Sequence, residues 1–209
     1  MDSVIKPVDL YDIARMCVQA YRSRPHVSGW QAVHPSDMRL SEAKLADMPY
    51  VNRTAAAFWR PPFETRRAMM VVVVRGDRAA SESLARGAQE AVAGIRTVLQ
   101  HALGWADRGA VREVVVAAHG FGADLAAMAC EGLRAAAGGR LLLVAFGADP
   151  TGRSGVPRID VLRYPPDAEA MADEYLYDIR ALYETGDLAE MMRNDGRHTV
   201  IRIPAAARQ

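Results

Sequence analysis

The stretch of this chain whose residue types and spacing come nearest to a catalytic arrangement is Val114-Val-Val-Ala-Ala-His119-Gly120-Phe121-Gly122-Ala123-Asp124. It reads as an apolar strand running into a small-residue turn and then an Ala-rich helix. A turn of pattern G-x-S-x-G lifts a nucleophilic hydroxyl above a sheet, and its small flanking residues let helix and strand approach closely. Here the flanks are Ala118 and Gly122, and Gly120 stands at the nucleophile's position. The shape of the turn is therefore expected while its chemistry is missing. Further along, Asp167 follows one strand-like segment and His198 precedes the last, so turn, acid and histidine come in the chain order of an acyl-transfer triad.

These residues need a sheet to bring them together, and the hydrophobic pattern supplies one. Asp9 is expected to cap a first helix with Leu10, Ile13, Ala14, Cys17, Val18 and Tyr21 on one face. From Arg22 to Arg67 prolines punctuate a loop-rich region anchored by Trp30, Tyr50, Phe58 and Trp59, with room for a hairpin and a short helix from Ser41. Met69 to Val74 is a continuous apolar run, as for a strand buried on both faces. A long helix follows, with Leu84, Ala88, Val92, Ile95, Leu99 and Leu103 on one stripe and Gly104 as its C-cap. Next come strand Val114 to Ala117, a helix to about Ala137 with Leu125, Met128, Ala129 and Leu133 inward, and strands Leu141 to Ala145 and Ile159 to Arg163. Two more helices precede a last strand, Thr199 to Ile203, and one carries Met171, Tyr175, Ile179 and Leu182 on a face. Alternating strands and helices imply an α/β fold: one domain over residues 1–209, with a mainly parallel sheet covered on both faces. Within it, residues 1–67 form the N-terminal helix and loop-rich region and residues 68–209 the core. Chemistry in such sheets gathers at the carboxyl ends of the strands.

With these residues in place, the chain resembles the class 3 lipase family, whose elbow is typically G-H-S-L-G-G-A. Ala118-His119-Gly120-Phe121-Gly122-Ala123 lines up with that elbow one residue at a time. The resemblance covers roughly residues 68 to 200: Val71 to Asp77 looks like the family's strand ending in arginine-glycine and a small hydroxyl residue, and Phe146-Gly147 like its phenylalanine-glycine strand end. It implies an α/β-hydrolase fold, Asp167 as triad acid, His198 as base, an oxyanion position at Asp77 and a pocket beside Phe121 and Phe146. Three departures stand against activity. Gly120 has no side chain to acylate, the Asp77 carboxylate would repel a developing oxyanion, and His198 leads into a strand-like tail, Thr-Val-Ile-Arg-Ile. The resemblance thus points to a degenerate, pseudo-hydrolase site that binds a lipid or ester or a protein partner. The alternatives are a serine hydrolase whose nucleophile lies elsewhere or was altered at position 120, and a structural subunit without a pocket.

Each residue also has an ordinary structural reading. His119 serves as a packing and hydrogen-bonding residue, Asp167 as a helix N-cap, His198 as a solvated residue ahead of a strand, and Ser81, Ser83 and Ser154 as caps or turn residues. Glycine at position 120 relieves the backbone strain of an elbow. An esterase oxyanion loop at His119-Gly120 would need a later G-x-S-x-G, and Gly152-Arg153-Ser154-Gly155 has the wrong spacing. A dinucleotide site lacks G-x-G-x-x-G and its ribose-binding acid.

Composition narrows the classes further. The 26 basic and 25 acidic residues are mixed along the chain, leaving no electrostatic footprint for nucleic acid. Only Lys6 and Lys44 are lysine, the mark of a GC-rich, bacterial-type coding sequence. Cys17 and Cys130 fall on apolar helix faces and read as free buried thiols in a reducing compartment. No metal or cofactor is implied. The N-terminal residues lack a signal-peptide pattern and no run could span a bilayer, so the expected location is the cytoplasm.

Overall fold

Six consecutive buried apolar residues, Met69–Val74, make a strand that only a sheet covered on both faces can hold. In the computed structural model, which describes residues 5–22, 25–33, 55–62, 68–74, 86–148, 154–164, 171–193 and 198–204, that strand is β3 of a seven-stranded sheet. The others are β1 (Gln31–Val33), β2 (Ala55–Arg60), β4 (Glu113–His119), β5 (Leu141–Phe146), β6 (Arg158–Tyr164) and β7 (His198–Pro204). They lie side by side in chain order, with β1, β2 and β3 antiparallel and β3 to β7 parallel. The helices are α1 (Pro7–Gln19), α2 (Arg86–Asp107), α3 (Phe121–Glu131), α4 (Arg134–Ala137), α5 (Ala172–Thr185) and α6 (Asp187–Met191). The expected α/β class with a mostly parallel sheet is present, and the loop-rich region contributes β1 and β2 to it. Among the described residues no helix is long and apolar enough to cross a membrane.

Strand alternation divides the core in two. Met70, Val72, Val116, Leu143 and their neighbours face α2 and α3, meeting Ile95, Leu99, Leu125 and Ala126. Val71, Val115, Val144, Val161 and Ile201 face α1 and α5, meeting Leu10, Ile13, Ile179 and Leu182. The strands advance in one direction from β3 to β7, yet α2 and α3 lie on one face and α5 on the other. The crossover through α5 therefore has the opposite hand to those through α2 and α3. Parallel crossovers are right-handed in about 98% of cases, so a sheet carrying both hands is unusual.

The side chains of β6 explain that departure. Ile159 and Val161 join the core beneath α5, whereas the alternate positions Arg158 and Asp160 turn a charged surface toward the α2 and α3 side. Neither β6 nor β7 contributes a residue to the core beneath α2 and α3. The apolar support for a helix on that side therefore ends at β5 among the described core residues. On the other face α5 meets α1, and Arg163 Nε donates to Asp178 Oδ2 at 2.7 Å, tying α5 to β6.

Several local expectations are corrected. Asp9 is not the N-cap of α1: Lys6 is, and the Asp9 carboxylate accepts the Lys6 amide at 3.1 Å from inside the first turn. α2 runs past Gly104 to Asp107. The helix expected to reach Ala137 breaks after Glu131, and Met128 points outward at 50% exposure because the inward stripe is filled by Leu125, Ala126 and Ala129. Met171 is an exposed N-cap of α5 instead of part of its buried face. Leu84, Ser41, Tyr50, Ser81 and Ser83 lie outside the described residues.

Asp9 is held instead by Arg60 of β2, whose Nη1 donates to its Oδ1 at 2.7 Å, both side chains being buried. The Arg60 guanidinium lies over the Trp30 ring at 4.5 Å, and Trp30 Nε1 donates to Asp12 Oδ2 at 3.0 Å. This chain of contacts locks α1 onto the antiparallel edge. Removing one member leaves a buried, unpaired charge, so Asp9→Ala is expected to cost about 3–5 kcal/mol, read from the urea midpoint. Burial also pushes the thiols of Cys17 and Cys130 up to about 12, leaving both protonated and shielded at neutral pH. Native protein should resist Ellman's reagent at mildly alkaline pH, and both thiols should react once urea unfolds the chain.

Candidate functional site

β4 and β5 stay paired up to His119 and Phe146, after which the chain turns abruptly. The Gly120 amide donates to Phe146 O at 2.9 Å, and the Ala123 amide to Gly120 O at 2.9 Å, so the turn is pinned to the sheet on one side and to α3 on the other. Gly120 has φ +53° and ψ −131°, a backbone state that residues with a Cβ enter only under strain. Ala118, Gly122 and Ala123 are buried, and their small size allows α3 to begin directly above the strand end. Among the described residues, a Cβ placed on Gly120 would meet no atom within 4 Å. No described residue therefore fills the position where a nucleophile would stand. The amides of Phe121 and Gly122 open the first turn of α3 and have no acceptor within the helix.

One side of this turn is walled by aromatic rings. Tyr175 of α5 is buried and meets the His119 ring edge-on at 5.6 Å and the Phe146 ring at 6.0 Å. It passes so close to Gly147, which has φ +66°, that a Cβ there would lie 2.8 Å from the Tyr175 hydroxyl. Phe121 is half-buried at the start of α3. Phe146, expected to line a pocket, is only 1% exposed and serves instead as the surface on which Tyr175 packs. The crossover through α5 thus delivers Tyr175 to the carboxyl end of β4.

His198 occupies a different part of the sheet. It begins β7, level with Arg158 of β6, which is level with Leu143 of β5, which is level with Val116 of β4. Four strand residues and three strand spacings separate it from Gly120, roughly 20 Å at ordinary strand dimensions. Its Nε2 lies 2.5 Å from Asp160 Oδ2, and the imidazole side chain is 43% exposed. Asp160 is fully buried and accepts Arg158 Nε at 2.9 Å and Nη2 at 2.7 Å, both on Oδ1. The expected grouping of His198 with Gly120 is corrected accordingly: the histidine is committed to an arginine-backed carboxylate on the charged face of β6. Asp77 and Asp167 lie outside the described residues. Ser154 is buried and donates its hydroxyl to Val156 O at 2.9 Å, holding the turn before β6. Among the described residues no group of three metal-ligating side chains comes together.

Three residues gain a placement that the sequence reading did not suggest: Tyr175 beside the turn, and Arg158 and Asp160 around His198, away from it. For Arg158 and Asp160 the signal was present in Arg158-Ile-Asp-Val-Leu-Arg163, where charges alternate with apolar residues in a strand otherwise expected to be buried on both faces. No known protein family, no curated protein and no solved structure matches this chain.

The geometry separates two backbone effects that can be measured. Gly120→Ala adds strain and, among the described residues, no clash, whereas Gly147→Ala adds both strain and a collision with Tyr175. Each is expected to destabilise by about 1–3 kcal/mol, Gly147→Ala by the larger amount, in urea unfolding. Equal effects would mean that Tyr175 does not pack over Gly147.

Proposed function

We propose that this chain is a lipase-like protein of the α/β-hydrolase type that no longer performs acyl transfer and binds a small lipid or ester at the turn around Gly120. The observation that carries this reading is the Gly120 turn itself: a sharp strand-to-helix backbone with positive φ and, among the described residues, no atom where a nucleophile's side chain would begin. His119, backed by the buried Tyr175, on one side and Phe121 on the other are each partly exposed and offer apolar surface to a ligand. The first amides of α3 offer hydrogen bonds to a carbonyl or carboxylate oxygen. His198, the base that the resemblance implies, is engaged with Asp160 and not with this turn.

Acyl transfer needs the nucleophile and its base together, and losing one forfeits most of what the pair supplies. Native protein should therefore remain unlabelled by a fluorophosphonate probe. Gly120→Ser should not hydrolyse short-chain p-nitrophenyl esters above the rate of its parent. Short-chain fatty acids or esters should raise Tm, and Phe121→Ala should reduce that rise. Labelling of the native chain would establish a nucleophile elsewhere, and turnover by Gly120→Ser would show that a base does reach the turn. Either result overturns the non-catalytic reading.

A further inference from the structure

A second concave surface lies at the opposite end of the sheet, where the chain enters β3, β4 and β5. It is an open cavity of about 530 Å³ whose walls include Pro62, Ala68, Ala106 and Val111, with Arg112 and Arg140 at its margin. Its volume falls in the range of small-molecule sites. Val111 is 2% exposed and anchors the apolar part in the core. Gly109, with φ +74°, closes the turn between α2 and β4, and among the described residues a Cβ there would meet nothing within 4 Å.

The two arginines differ in a way that matters for recognition. Arg140 is positioned by its own bonds: Nε donates to Ala137 O at 3.2 Å and Nη1 to Asp107 Oδ1 at 2.6 Å. One Asp107 carboxylate thus offsets one guanidinium. Arg112 is exposed and, among the described residues, its guanidinium has no ion-pair or hydrogen-bond partner. Together Arg112, Arg140 and Asp107 leave one positive charge beside an apolar floor. A guanidinium fork matches the oxygen pair of a carboxylate or the oxygens of a phosphate.

We propose that this cavity is a binding site for a small amphipathic oxyanion, a carboxylate or phosphate ester whose charged head engages Arg112 and Arg140 while its short apolar body lies on Pro62, Ala68, Ala106 and Val111. It is independent of the Gly120 turn, since the cavity borders the amino ends of β3 to β5 and the turn stands at the carboxyl end of β4.

Calorimetric titration of the full chain with hexanoate, hexyl phosphate and hexanol tests it. Saturable binding of hexanoate, hexyl phosphate or both, weakening as salt rises, is the expected result, and which of them binds identifies the head group. Arg112→Ala should weaken that binding by about tenfold or more with Tm unchanged, because the side chain holds no other described residue in place. Phe121→Ala, at the other end of the sheet, should leave it intact. Failure of both anions to bind, binding of hexanol as tight as theirs, or wild-type affinity in Arg112→Ala would overturn the site. Loss of binding in Phe121→Ala with retention in Arg112→Ala would place the ligand at the Gly120 turn instead.

Discussion

The charged surface of β6 is the constraint on which the rest of this architecture depends. β3, β4 and β5 carry apolar side chains on both faces and so accept α2 and α3 on one side and α1 on the other. β6 breaks that symmetry, because Arg158 and Asp160 occupy the positions that would otherwise support another helix beside α3. Burying two charges is costly unless they satisfy each other, and the paired contacts to Asp160 Oδ1 do so. The remaining apolar face of β6 lies toward α1, and α5 follows it there.

Two consequences reach the candidate site. Placing α5 on that face brings Tyr175 over Gly147 and against His119, so the carboxyl end of β4 gains an aromatic wall. The second lone carboxylate oxygen of Asp160 draws His198 to the amino end of β7. A histidine oriented by a buried carboxylate has the form of a base and its positioning group, but such a pair acts only on what lies within hydrogen-bond reach. The turn at Gly120 is too far along the sheet to be served by it. An elbow-shaped backbone and an Asp–His pair coexist in one small fold without forming one site.

Much of the fold was legible in the sequence because its strands are long apolar runs and its helices carry regular stripes. Met69–Val74 and Leu141–Phe146 could hardly be anything but interior strands, and the Ala118-His-Gly-Phe-Gly-Ala123 turn announced its own geometry through its small residues. What could not be read was spatial. The order of strands and the side taken by α5 depend on which faces remain free after the other helices have packed, and no local pattern encodes that. For the same reason His198 was grouped with Gly120 by chain order, whereas register sets it level with Arg158. Asp9 illustrates the point on a smaller scale: its type suits an N-cap, but its role is decided by Arg60, 51 residues away.

His198 belongs to Asp160 and not to the turn at Gly120. Nitrogen-15 NMR of the His198 imidazole, assigned by comparison with His198→Asn, addresses it directly in the parent protein, Asp160→Asn and Gly120→Ser. The ring nitrogen shifts of His198 should change in Asp160→Asn and stay at their parent values in Gly120→Ser. Shifts that respond to position 120 and ignore position 160 would place the imidazole at the turn instead.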